Sequence, residues 1–177
     1  MTDTTGSLTI RPIDEADSID ELTALLHRAY RHLADLGLRF VATHQSSEVT
    51  RERIAGGTCL VARAGGGIVG TITYRPPHIL GGSPWLDRLD VAHISQLGVE
   101  PAVQGKGIGR KLMDAAEEMA ARDGAAELAL DTAETAHHLI RWYERLGYRY
   151  IEPVDWRPHT NYRSVVMSKL LVRDAGL

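Results

Sequence analysis

Apolar positions along the chain alternate between a two-residue and a three-to-four-residue period, and each change of period marks a change of element. Leu8 and Ile10 alternate with Thr9 and Arg11, which predicts a first strand over residues 7–13 with Pro12 near its end. Ser18, followed three positions later by Glu21, has the spacing of a capping box. Leu22, Leu25, Leu26, Ala29 and Leu33 then repeat at helical spacing, so a long amphipathic helix is expected to about Gly37. Polar residues 43–47 lead into a weaker helical segment, 48–54, ended by Gly56 and Gly57. Two apolar runs, 58–64 and 68–74, flank three glycines and predict a β-hairpin. Residues 75–84 hold too much proline and glycine for regular structure and predict a surface loop. The apolar run 91–99 reads as a central strand, followed by a glycine-dense loop and an amphipathic helix over 108–122 that Gly124 stops. A short strand over 127–131 and a helix over 136–146, with Gly147 at its C-terminal end, come next. Residues 148–151 and 163–171 predict two last strands. The order is that of a single mixed α/β domain spanning 1–177 with its core over 7–171, without internal repeat or linker.

Composition narrows the classes of ligand. At 177 residues, 44% hydrophobic and 24% charged, the chain suits one ordinary globular domain. A net charge of -3 gives no global attraction to nucleic acid or to an anionic membrane, so a phosphate-bearing ligand needs a local site. No apolar run approaches a membrane span, and the start Met1-Thr-Asp-Thr-Thr lacks the basic-then-apolar order of a signal peptide. With Cys59 as the single cysteine no internal disulfide can form, and a reducing cytoplasmic location is expected. Cys59 lies in an apolar run and is expected to be a buried structural thiol rather than a nucleophile.

The local site is suggested by the stretch from Gln96 to Gly109. Strand, glycine loop, helix is a physical recipe for holding an anion, because glycines let the backbone approach and the first free N–H groups of the helix point at the charge. A phosphate loop of the Gly-Lys-Ser/Thr kind is absent. A dinucleotide fingerprint fails because Arg110 stands where its third glycine belongs, although Asp131 ends the next strand where a ribose-binding acid would sit. A tight turn with no ligand is the bland alternative. The more specific pattern is Gln104-x-x-Gly107-x-Gly109 after a strand ending Leu97-Gly98-Val99-Glu100-Pro101. It resembles the acyl-CoA loop of the GNAT N-acetyltransferase superfamily. Downstream, Trp142-Tyr143-Glu144-Arg145-Leu146-Gly147-Tyr148 is similar to that family's second signature. The element order agrees too, and the likeness runs from Leu8 to Leu171. One departure is Ala136, where family members often carry an Asn that contacts the cofactor; Thr135 or a water is left to substitute.

The resemblance implies a mixed-sheet fold of about seven strands and four helices, with the fourth and fifth strands splayed around acetyl-CoA. The pyrophosphate would rest on the backbone of Gln104, Gly105, Lys106, Gly107, Ile108 and Gly109. Lys106 and Arg110 either add charge there or are solvated surface residues. The pantetheine arm would pair with backbone at Leu97, Gly98 and Val99, where an N–H could also hold the oxyanion. Tyr143 would be the general acid for the departing thiolate. Helical spacing alone, which aligns it with Leu139 and Leu146, would make it a core tyrosine. His93 is the candidate general base, with Ser95 on the same face as a relay and Asp90 and Glu100 as alternatives; a lone strand histidine is also commonly structural. The pairs His27/His32 and His137/His138 do not share a helix face, so no metal site is expected. Acceptor specificity is expected in loops 39–47, 75–87 and 153–162, which carry Trp85, Trp156, His78, His159, Glu152 and Asp155. Aromatics beside carboxylates suit a cationic amine, and equally suit a rim or a dimer contact. The activity implied is direct acetyl transfer from acetyl-CoA to a primary amine of a small molecule or peptide. A protein N-terminus or lysine is an alternative acceptor, a catalytically silent acyl-CoA-binding module is an alternative of another kind, and a homodimer is common in the family.

Overall fold

The alternation around Ile10 forms an edge strand, β1 (Thr9–Pro12), in the computed structural model, which describes residues 7–172. The stretch Met1 to Thr5, read above for a leader sequence, lies outside the described residues. An edge is where Pro12 does no harm, since its missing N–H interrupts no second ladder. Helix α1 (Ile19–Asp35) begins where the capping pattern placed it, with the Ser18 hydroxyl accepting from the Glu21 N–H at 3.2 Å. The box is not reciprocal, however. The Glu21 carboxylate accepts from the Ile68 N–H at 2.8 Å instead, tying the helix to the sheet. Leu22, Leu25 and Leu26 pack on Cys59, Val61 and Ile68, each leucine contributing about 1.5–3 kcal/mol by leaving water. A single 3₁₀ turn, Val41–Thr43, leads to α2 (Ser47–Ala55), capped by Ser46.

Strands β2 (Thr58–Ala64) and β3 (Gly67–Arg75) form the expected hairpin, and its turn residues Gly65 and Gly66 both have positive φ, as tight hairpins demand. There follow β4 (Val91–Val99), α3 (Ile108–Arg122), β5 (Glu127–Ala133), α4 (His137–Arg145), β6 (Arg149–Val154) and β7 (Ser164–Leu170). β5 runs two residues beyond its expected end because β7 pairs with it throughout, from Glu127 opposite Leu170 to Ala133 opposite Ser164. The described residues thus form one seven-stranded sheet in the order β1-β2-β3-β4-β5-β7-β6, with four α-helices. Leu112, Met113 and Ala116 of α3 and Tyr143 of α4 share a core with Ala92, Ile94, Leu128 and Leu130 on one face of the sheet. Helix α1 covers the other face. Among the described residues no helix is long and apolar enough to cross a membrane. Cys59 is buried in β2, and burial pushes its thiol up, away from the thiolate a nucleophile needs.

An ionic clamp holds the approach to α1. The Asp17 carboxylate, with only 1% of its side chain exposed, accepts from Arg11 at 2.7 Å and Arg63 at 2.7 Å and from the Asp14 N–H at 3.0 Å. The Arg11 hydrogen bond holds its pKa below the ordinary carboxylate value. A depressed folded pKa means the stabilisation is complete above the unfolded value of about 3.9 and is lost as pH falls through the folded pKa. Asp17→Asn is therefore expected to cost about 3 kcal/mol at neutral pH. Urea unfolding should show this gap narrowing below about pH 4; a gap independent of pH would assign the clamp no role.

Candidate active site

The sheet is opened at its centre by the geometry of β4. It pairs with β5 in parallel over only three positions, the last being His93 opposite Ala129. Beyond them both strands continue, to Val99 and Ala133, without pairing. The cause is visible on the other side of β4. Its register against β3 steps from Gly98 opposite Thr71 to Ser95 opposite Thr73, so β4 carries one extra residue, a β-bulge. Gln96 sits in that bulge at φ 53, the left-handed region that a residue with a Cβ rarely adopts. Its buried amide is held from two sides, accepting from Gln45 Nε2 at 2.9 Å and donating to Thr73 Oγ1 at 3.3 Å. These bonds offset the local strain and fix the bulge. The extra residue also reverses the alternation: Leu97 and Val99 join the core of Ala92 and Ile94, while Gly98 faces α1, where an added Cβ would meet Ala29 Cβ at 3.1 Å.

A cleft of about 1330 Å³ runs through this gap. On the α3 side it is lined by Leu97, Gly98, Val99, Gln104, Gly105, Gly107, Ile108, Gly109 and Arg110, all expected from the sequence. Gly107 is the N-cap of α3 at φ 82, and no side chain caps the helix, so its first-turn N–H groups are free for an anion. Gly105, at φ 78, holds the same left-handed geometry. At Gly109 an added Cβ would make only ordinary contact with Trp142, at 3.4 Å. Gln104 braces the loop by donating to the Val99 carbonyl at 3.1 Å. Lys106 is exposed and is not among the lining residues.

Tyr143 reaches the same cleft from α4 and is only 8% exposed. Its ring is set between Trp142, at 5.1 Å, and Tyr148, at 6.0 Å. Burial, reinforced by Tyr30 and Asp131, raises its pKa far above that of a free phenol, so the hydroxyl keeps its proton. The opposite wall is built from the α1 face of the sheet. His93 is 92% buried there, within 3.7 Å of Asp131, and neither ring nitrogen has a hydrogen-bond partner. Trp156 Nε1 donates to the other Asp131 oxygen at 3.0 Å, fixing that carboxylate. Tyr30, Phe40 and Tyr162 stack along the wall, with centroid spacings of 5.6 and 4.8 Å. Tyr143 and His93 thus belong to opposite faces of the sheet, and the gap joins them.

The model of the acetyltransferase (GNAT) family matches residues 19–148. The chain belongs to that family. It is also 36% identical over 131 residues to S-(2-succino)cysteine N-acetyltransferase of Bacillus subtilis (strain 168), covering 73% of this chain and 77% of that protein. Among solved structures, PH1933 from Pyrococcus horikoshii OT3 superposes with a TM-score of 0.71 at 22% identity, covering 93% of this chain and 98% of that one. A GNAT acetyltransferase from Elizabethkingia anophelis with acetyl-CoA bound gives 0.65 at 17% identity over 93% and 98%. These structural likenesses establish the shared fold. The family model and the Bacillus relative make the chain an N-acetyltransferase.

Several residues of the enzyme take places that their sequence positions did not signal. Glu100 is engaged by Arg28 at 2.7 Å and Asp90 by Arg88 at 2.7 Å, which leaves His93 as the basic group facing the cleft from β4. Ser95 lines the cleft as expected. Thr135 is exposed and outside the lining, whereas Thr132 lines it with an unpartnered hydroxyl. Of the expected specificity residues, Trp156 and His159 line the cleft. Trp85 instead lies under the guanidinium of Arg88, and Glu152 clamps its loop by accepting from Ser83 at 2.6 Å and from the Trp85 N–H at 3.1 Å. Asp155 is held by Arg157, which lowers its pKa to about 2. Asp131, weighed above as a ribose acid, lies instead beside His93. Arg53 and Arg75 also line the cleft, and no motif pointed to them. Among the described residues no three potential metal ligands converge.

Proposed function

We propose that the enzyme transfers the acetyl group of acetyl-CoA directly to the amine of a small molecule, with the thioester lying in the gap between β4 and β5. The observation that carries this reading is the continuity of one cleft from the uncapped start of α3, past Tyr143, to His93 on the far face. An anionic donor fits the first end and an amine the second. The Bacillus relative acts on an amine of small-molecule size and the Elizabethkingia neighbour holds acetyl-CoA, which supports both choices.

In this mechanism the pyrophosphate rests on the N–H groups that open α3, and the pantetheine arm pairs with the free edge of β4 at Leu97, Gly98 and Val99. His93, directly or through a water shared with Ser95, takes the proton that the attacking amine must lose. The nitrogen adds to the thioester carbonyl carbon, and a β4 N–H holds the oxyanion. Collapse breaks the C–S bond; the Tyr143 hydroxyl donates to the departing thiolate and passes it a proton, and solvent reprotonates the phenolate as His93 releases the proton it took from the amine. Amide and free thiol leave, and no acyl-enzyme forms.

His93→Gln is expected to lower kcat/KM for the amine by about 30-fold while acetyl-CoA affinity is kept. The deficit should shrink as pH rises, because more amine then arrives already neutral. A deficit that stays constant with pH would remove the histidine from proton transfer. The acceptor class is tested by following thiol release from acetyl-CoA across a panel of small amines, lysine peptides and N-terminal peptides. Turnover confined to the small amines is expected. Turnover confined to peptides, or tight acetyl-CoA binding with no acetylation of any amine, would overturn the reading.

A further inference from the structure

Charge in the acceptor half of the cleft is arranged in a row across three strands. In the ladder, Arg75 on β3 stands directly opposite His93 on β4, which places their Cβ atoms about 5 Å apart on one face. His93 pairs in turn with Ala129 on β5, and Asp131 is the next β5 residue on that same face. The row therefore reads cation, histidine, carboxylate. Asp131 is the one acidic side chain among the described residues that line the cleft.

Arg75 does not stand alone. Its Nη2 donates to the Arg53 carbonyl at 2.6 Å, and its stem lies so close to Gly57 that an added Cβ there would meet Arg75 Cγ at 2.8 Å. Arg53, projecting from α2 into the same cleft, donates from Nη1 to Gln45 Oε1 at 2.6 Å. Gln45 is the residue that also holds the Gln96 bulge, so the guanidinium is oriented by the element that opens the sheet. Neither arginine forms an ion pair among the described residues, although ten Arg or Lys pairs with carboxylates occur elsewhere. Burial lowers the pKa of Arg53, and the charge of Arg75 acts the same way; the guanidinium remains protonated. Two oriented, partly desolvated and unneutralised guanidiniums lining one cavity are a binding site for a carboxylate, which they can grip bidentately.

We propose that Arg53 and Arg75 form a carboxylate subsite, and that the acceptor is accordingly an amine that also bears a carboxylate, of the amino-acid class. The proposal rests on the acetyl-transfer reading above and adds the feature by which the acceptor is chosen. A carboxylate on Arg75 and Arg53 sets a neighbouring amino group over His93, beside Asp131 and at the mouth of the gap. The aromatic wall of Tyr30, Phe40 and Tyr162 is left for the remainder of the molecule.

The test uses matched acceptors: α-amino acids, dicarboxylic ones included, each against its own carboxamide, with acetyl-CoA fixed. For the wild type, kcat/KM for the acids is expected to exceed that for the carboxamides by at least about tenfold. Arg75→Met and Arg53→Gln should each erase most of that preference, the loss for the acid exceeding the loss for the amide by about tenfold. Equal use of acid and amide by the wild type, or equal losses for both in the variants, would overturn the proposal. Acetyl-CoA affinity and melting temperature of the variants report whether the fold is intact. Should no acceptor be acetylated, the catalytic reading fails, and equilibrium binding of the same acids to the CoA complex still reads the subsite. Binding that the arginine variants weaken sustains it; no binding, or binding they leave unchanged, refutes it.

Discussion

Tyr143→Phe is expected to lower kcat by about 10²-fold or more, with acetyl-CoA affinity nearly unchanged. The substitution removes one oxygen and leaves the ring, so the packing against Trp142 and Tyr148 survives. The hydroxyl makes no hydrogen bond to another described residue, so its loss orphans no partner in the protein. A phenol kept there only for packing would give a variant indistinguishable from wild type. A phenol aimed at the leaving sulfur contributes chiefly in the transition state, when negative charge develops, and its loss appears in kcat rather than in binding. Its raised pKa means that the phenol is protonated at rest and so is available as a donor when negative charge develops on the sulfur. Pre-steady-state measurement of thiol release would separate this from slowed product departure. An unchanged rate of the chemical step would assign the acid elsewhere.

Gly107→Val is expected to weaken acetyl-CoA binding by about 10²-fold, as read by calorimetric titration. A β-branched residue at φ 82 costs about 1–2 kcal/mol of backbone strain, and relief of that strain turns the loop. Turning it re-aims the N–H groups that open α3, each charge-assisted bond to a phosphate being worth about 1.5–3 kcal/mol. Losing roughly 3 kcal/mol corresponds to about a hundredfold in affinity. The space around Gly107 is open, so conformation is the whole of the objection to a side chain. Lys106→Ala, one residue away but outside the cleft lining, serves as the contrast and should bind nearly as the wild type does. If the two variants bind alike, the loop does not hold the pyrophosphate.

Much of this site could be read from the chain because its signals are local. Gly105 and Gly107 are needed for a backbone conformation, and the Gln104-x-x-Gly107-x-Gly109 spacing records it directly. The strands and helices follow from apolar period, and their errors are confined to ends: β1 is shorter and β5 longer than expected, as their partners dictate. What escaped reading is long-range. Gln96 gives no sign of a left-handed φ, because nothing in its neighbours announces that Gln45 and Thr73 will hold it. Without the bulge, simple alternation puts Leu97 and Val99 on the wrong face. Asp131 was legible as an acid at a strand end, but its place beside His93 depends on the register of β4 against β5. Arg53 and Arg75 belong to separate elements and meet only when α2 packs on the hairpin. The position of β7 between β5 and β6 was also hidden, since chain order does not reveal strand order.

A crystal structure of the complex with acetyl-CoA tests the central claim most directly. The pyrophosphate should lie on the N–H groups of residues 105–109, the pantetheine along β4 at 97–99, and the sulfur within hydrogen-bonding reach of the Tyr143 hydroxyl, with the acetyl group facing His93 through the gap. Acetyl-CoA bound outside the opening between β4 and β5, or with its sulfur remote from Tyr143, would contradict it.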